Sequence, residues 1–273
     1  MKQQVVYDIK AGICRRWYYF VGFAVLIVIM CSMQVKQISA WRNIISSEQV
    51  SYGNFLLVWF RGFSEVRRAK GEGHLVIPFE WIVLQITYFG VVLGYTEKNM
   101  KENGYLLFLR IAKKNIWWDS KCIWVALSTL IYYGIFFSIT GIFASIVGSF
   151  TMNPISSIWV GELSYERNVE CFLLTFILPG LVSFSMGMLA MLLEISVSGV
   201  ISLIICLGTE IASAFWNMPF LPGNYSMFYR NQYFIGTGHV TWISGLIFCV
   251  VLTASVYFVG RYYINRFEFL GDK

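Results

Sequence analysis

Charge is scarce in this chain. Asp, Glu, Lys and Arg together make up 13% of its 273 residues, against roughly 25% in an ordinary globular domain. That scarcity excludes a soluble enzyme and a disordered chain. Proline is rare as well, at five residues, which excludes a low-complexity linker protein. Histidine occurs twice, at His74 and His239, and no HExxH is present, so the helix of a zinc hydrolase is missing. No GxxxxGK[ST] occurs, so the chain has no phosphate-cradling loop of its own. The GTG at Gly236 to Gly238 follows no strand pattern and is not a nucleotide loop. The six cysteines are scattered without a CxxC. They read as packing residues rather than as disulfides or metal ligands.

What the chain has in quantity is apolar surface. Hydrophobic residues account for 57% of it, and the mean hydropathy is +0.62. A membrane helix needs about 20 mostly apolar residues, and six segments approach that length: 17–33, 79–95, 122–150, 171–193, 195–216 and 240–260. The expected fold is all-α, a polytopic membrane protein with six transmembrane helices and no soluble domain. Residues 1–16 alternate charge with Val5, Val6, Tyr7, Ile9 and Ile13, the pattern of an amphipathic helix lying in the interface. No small-residue cleavage site follows, so a retained first span is expected rather than a signal peptide. Tyr52 to Phe60 is apolar but too short to span, and reads as a re-entrant or interfacial outer segment.

Lys and Arg set orientation. With six spans, the two termini, the segment 96–121 and the turn at Glu194 share one side. Thirteen of the 21 basic residues fall there: Lys2, Lys10, Arg15, Arg16, Lys98, Lys101, Arg110, Lys113, Lys114, Lys121, Arg261, Arg266 and Lys273. The other eight are spread over more chain, so both termini are expected in the cytoplasm of a bacterial cell, with the chain in the plasma membrane. The formal net charge of +6 is then explained by topology and anionic lipids, with no nucleic acid implied.

Ionisable groups inside a span are costly unless paired or hydrated. Glu194, at the turn between the fourth and fifth spans, reads as a solvated interfacial carboxylate or, like Glu210, as a pathway or helix-pairing residue. Glu210 is deeper, beside Gly208, Thr209 and Ser213. It either lines a polar pathway or bonds a neighbouring helix. Neither has a His or Asp companion in the spans. Small residues such as Gly141, Ala144, Ser145 and Gly148 suit close helix packing. The aromatic clusters at Trp17 to Tyr19, Trp117-Trp118 and Tyr257 to Tyr263 suit an interfacial belt. Asn224-Tyr225-Ser226 matches a glycosylation sequon once.

The stretch from Tyr95 to Lys121 carries the most information. It is charged from Glu97 to Glu102, broken by Gly104, and apolar through Leu106, Leu107, Phe108 and Leu109. Arg110, Lys113 and Lys114 follow, then Trp117, Trp118 and Lys121. An apolar face beside a basic one suits a surface that docks a partner; the alternative is a helix that rests on lipid.

Tyr95, Asn99, Gly104, Arg110, Trp117, Trp118 and Lys121 fall on a spacing that resembles bacterial ABC-2-type transporter permeases, the membrane subunits of ABC exporters, especially in Gram-positive bacteria. Tyr52-Gly53-Asn54-Phe55 with Phe60, Arg61 and Gly62 resembles the family's outer segment. Ile77-Pro78-Phe79-Glu80-Trp81 resembles its approach to the second span. Asn99 stands where such proteins often carry Asp. The resemblance implies a permease subunit that is not an enzyme and holds no cofactor or metal. ATP and Mg would be bound by a separate cytoplasmic ABC ATPase subunit. A second permease subunit would complete a dimer among membrane lipids. Leu106, Leu107, Phe108, Leu109, Arg110, Lys113, Lys114, Trp117, Trp118 and Lys121 would couple to the ATPase. The cargo would be a peptide, lipid or amphipathic compound. The rival readings are a polytopic membrane enzyme, which needs a converging catalytic group, and an ion-coupled secondary transporter, which needs intramembrane ion sites.

Overall fold

The computed structural model describes residues 1–40, 51–62, 78–101, 114–148, 150–152, 169–234 and 240–266. Among them the backbone is helix and turn, with one isolated bridge between Asn231 and Val240. That outcome follows from composition: a helix satisfies its own N–H and C=O groups, which hydrocarbon cannot.

The helices are α1 (Lys2–Asp8), continued by a wider π-turn over Ile9–Cys14; α2 (Trp17–Ala40); α3 (Tyr52–Phe60); α4 (Phe79–Val92); α5 (95–101); α6 (Lys114–Val147); α7 (Val169–Ser196); α8 (Gly199–Phe215); and α9 (Trp242–Arg266). Two 3-10 turns, Pro222–Ser226 and Phe228–Arg230, lie between α8 and α9. Five stretches are long and apolar enough to cross a membrane: α2, α4 with α5, α6, α7 and α9. The helix α8 is apolar but shorter, at 17 residues. This is a helical, multi-pass membrane protein.

One end of the bundle, the near end, gathers α1, α5, the start of α6, the end of α7, the start of α8 and the end of α9. The far end gathers α3, the start of α4, the end of α6 and the 3-10 turns. Trp81 donates to Ser226 Oγ at 3.0 Å at the far end, and Arg230 donates to the Ala214 carbonyl at 3.2 Å. Inside α7, the π segment Leu173–Ile177 runs up to Pro179. Proline supplies no N–H to the helix ladder, and a π-turn is one way a helix absorbs that break.

Several elements depart from the sequence reading. The helix α6 includes residues from Lys114 on, not from Cys122, so Trp117, Trp118 and Lys121 belong to the long helix itself rather than to a separate coupling segment before it. The helix α2 runs to Ala40 rather than ending at Met33. The chain turns between α7 and α8 at Val197-Ser198, which places Glu194 inside α7. The segment Tyr52 to Phe60 is a nine-residue helix about 13 Å long, capped by Ser51 and Asn54 in a reciprocal box. It is buried on nearly every face, with Trp59 and Phe60 edge-on to Phe136 at 5.2 and 5.5 Å. An interfacial helix would keep one face exposed; this one is enclosed by the bundle. The helix α1 turns Gln4 and Asp8 inward and leaves Val6 and Tyr7 exposed, so it presents a polar stripe to its neighbours.

Candidate functional site

At the near end, Gln4, Asp8 and Gly12 recur every four residues and so share one face of the N-terminal helix. All three are buried. Gly12 is required there, because a side chain would strike the indole of Trp124. That close approach puts Asp8 against α6.

Asp8 accepts three side-chain hydrogen bonds. The Tyr95 hydroxyl donates to Oδ1 at 2.7 Å, the Lys121 ammonium donates to the same oxygen at 2.6 Å, and Ser120 donates to Oδ2. Lys121 also donates to Asn99 Oδ1 at 2.9 Å. Its charge sits over the Tyr95 ring at 4.2 Å and near the Trp117 ring at 5.2 Å. An ammonium has three donors; two meet oxygen here and the aromatic faces take up the rest of the charge. Neither Asp8 nor Lys121 is exposed to solvent. A buried ion pair survives desolvation only when the remaining lone pairs and protons are also satisfied, and this one meets that condition. Asn99 further donates to Tyr7 Oη at 3.4 Å. The junction therefore ties α1, α5 and α6 together.

A second set of contacts joins helix ends. Glu194, near the end of α7, accepts from the backbone N–H of Gly94 at 3.0 Å and of Glu97 at 2.8 Å. It caps α5, whose first amides have no partner within the helix. Glu97, in α5, accepts in turn from the Gly199 N–H at 3.0 Å, at the start of α8. Ser198 completes that cap by accepting from Ile201 at 3.3 Å. Gly94 makes the turn between α4 and α5 with φ of +82°, a backbone shape that favours glycine.

The expected site residues divide. Leu106, Leu107, Phe108, Leu109, Arg110 and Lys113 lie outside the described residues. Lys114 donates to the Asn265 carbonyl at 3.5 Å. Trp117 and Trp118 are fully buried. Trp118 donates to the Tyr257 carbonyl at 3.0 Å and lies on Gly260, where any side chain would meet its ring. Lys121 belongs to the buried junction, not to an exposed docking face. Glu194 is buried as a cap rather than solvated at an interface. Glu210 is buried in α8, beside Ser213 and Gly223, and neither carboxylate oxygen has a hydrogen-bond partner among the described residues. The structure thus separates the two glutamates: one sits at the near end, the other by the 3-10 turns. Asn224 of the sequon is fully buried and donates to the Trp216 and Met218 carbonyls at 3.0 and 2.9 Å, so it builds the turn.

The sequence reading gave no site role to Asp8, Ser120 or Glu97. One signal pointed to Asp8: it is the lone acid before Glu48, spaced by four from Gln4 and Gly12. No group of three or more His, Cys, Asp or Glu that could hold a metal occurs among the described residues.

Compared with known proteins, the chain matches no family model, and no curated protein or solved structure matches it at a significant level.

Proposed function

We propose that this chain is the permease subunit of an ATP-driven ABC exporter of the ABC-2 type. It crosses a bacterial plasma membrane six times, with α8 as the short fifth crossing and both ends cytoplasmic. The observation that carries the reading is the junction itself. Tyr95, Asn99, Trp117 and Lys121 are four of the seven positions that carry the resemblance to ABC-2 permeases, and their side chains meet around the buried Lys121 charge. The expected coupling residues lie between α5 and α6 in the sequence, so a partner that moves either helix acts on a pair that Asp8 locks to α1. The Glu97 cap passes the same displacement to α8. A separate ABC ATPase subunit supplies ATP and Mg binding, since this chain lacks the phosphate loop. A second permease subunit completes the path, and a peptide, lipid or amphipathic compound is the cargo. Alternating access arises as the helices exchange two packings.

Co-purification from native membranes in mild detergent tests this. An ATPase chain should accompany the intact protein. Phe108→Ala or Leu107→Ala, whichever side chain faces the partner, should weaken that association at least about tenfold, and Lys113→Ala far less, because buried anchors outweigh rim charges. If an alanine block across Leu106 to Lys114 changes neither association nor transport, the reading fails.

A second reading, an ion-coupled transporter, is favoured by Glu210, whose buried carboxylate has both oxygens unpartnered among the described residues. Uptake or efflux in vesicles driven by an ion gradient without ATP, and abolished by Glu210→Gln, would support it instead.

A further inference from the structure

Beside the junction lies a cavity of about 620 Å³ between the N-terminal helix, the start of α2 and the α4–α5 turn. Three of its lining residues are cations, Arg15, Arg16 and Lys98, and none is a carboxylate. Tyr7, Tyr18 and Tyr19 add hydroxyl donors. Arg16 is fixed from behind: one guanidinium nitrogen donates to the Leu93 carbonyl at 3.0 Å, and its plane lies over the Tyr19 ring at 4.5 Å. Its other terminal nitrogen is buried and has no hydrogen-bond partner among the described residues. A guanidinium held in place and flanked by two more cations, in a cavity lined by no carboxylate, is the arrangement that takes a phosphate.

A second feature says what the phosphate belongs to. Trp17, Val21, Val25 and Ile29 recur every four residues along α2 and are all exposed. They form one apolar stripe that begins at the residue after Arg16 and runs along α2 away from the cavity. A free phosphate or sugar phosphate has no use for such a stripe, whereas acyl chains do.

We propose that this cavity is a binding site for an anionic phospholipid, with the phosphate held by Arg16, Arg15 and Lys98 and the acyl chains laid along α2. The site does not depend on the permease reading. It is lined by Tyr95 and Asn99 as well, so an occupied headgroup pocket braces α1, α2 and α5 beside the Asp8–Lys121 junction. A zwitterionic lipid fits less well, because its ammonium or choline meets three cations.

Native mass spectrometry of the full-length chain in mild detergent provides the test, with dioleoyl phosphatidylglycerol, dioleoyl phosphatidylcholine and glycerol 1-phosphate as probes. Phosphatidylglycerol should be retained at least about tenfold over phosphatidylcholine. Arg15 and Lys98 are exposed, so the double variant Arg15→Gln/Lys98→Gln should keep its melting profile while losing about fivefold in retention for each cation removed. Arg16→Gln should lower retention further. Millimolar glycerol 1-phosphate should displace none of the lipid. Equal retention of the two lipids, or unchanged retention in the double variant, overturns the proposal. Displacement by glycerol 1-phosphate also overturns it, in favour of a soluble phosphate ligand.

Discussion

Asp8 and Lys121 lie 113 positions apart in the chain and 2.6 Å apart in space, with neither side chain open to solvent. Each is expensive to bury alone, and each removes the other's cost. The pair sits where an amphipathic helix meets the longest helix of the bundle. It explains how these two charges are held inside a membrane protein that has few.

The first prediction concerns that pair. Removing one partner leaves an uncompensated buried charge, which costs about 3–5 kcal/mol. Lys121→Met and Asp8→Leu should each depress unfolding stability in detergent by that amount. The double variant should lose less than the two single losses combined, because no charge is stranded. Additive losses would mean that the two groups do not act as a pair.

Glu194 should matter through the helix it caps. Glu194→Ala removes the acceptor for the Gly94 and Glu97 amides and should cost about 0.5–2 kcal/mol. Glu194→Gln keeps an acceptor oxygen and should cost less. The readout is hydrogen exchange at the Glu97 amide, which should quicken in the alanine variant and change little in the glutamine one. Unaltered exchange in both would remove the capping role.

Gly260 should tolerate no side chain while Trp118 is present. Gly260→Ala drives a methyl group into the indole, and overpacking of this kind costs about 1–3 kcal/mol. Replacing Trp118 with Leu in the same chain opens the space, so Gly260→Ala/Trp118→Leu should be more stable than the two single losses combined would allow. Thermal unfolding of the four proteins settles it.

Orientation can be read by cysteine labelling in a background without accessible native cysteines. Phe220 is exposed at the far end and Lys10 at the near end. Phe220→Cys should react with an impermeant maleimide added outside intact cells, and Lys10→Cys only after permeabilisation. The reverse result would invert the proposed topology.

The crossing helices were legible because each is a long apolar run, and apolarity is a local property of the sequence. The enclosed position of Tyr52 to Phe60 was not, since nine apolar residues look alike whether they face lipid or Phe136. The near-end junction was half legible. The family resemblance drew Tyr95, Asn99, Trp117 and Lys121 together, and the structure brings their side chains into contact, but it buries them where an exposed coupling face was expected. A lysine beside two tryptophans has the signature of a headgroup anchor. Only Asp8, supplied from a distant helix, turns it into a core residue. Glu194 was hidden for the same reason: its partners are backbone amides about 100 positions away, and no side-chain pattern announces them. Leu106 to Lys113 stay an expectation of the sequence, outside the described residues.

The Asp8–Lys121 contact also dictates an order of assembly. Chains emerge from the ribosome at roughly 5–20 residues per second, so Asp8 waits on the order of ten seconds before Lys121 exists. During that interval the carboxylate has no ammonium to meet and must remain wet. The N-terminal helix therefore begins life at the water boundary and is drawn inward only after α2, α4 and the first turns of α6 have been inserted. Closing the junction of α1, α5 and α6 therefore comes down to the drying of a single carboxylate.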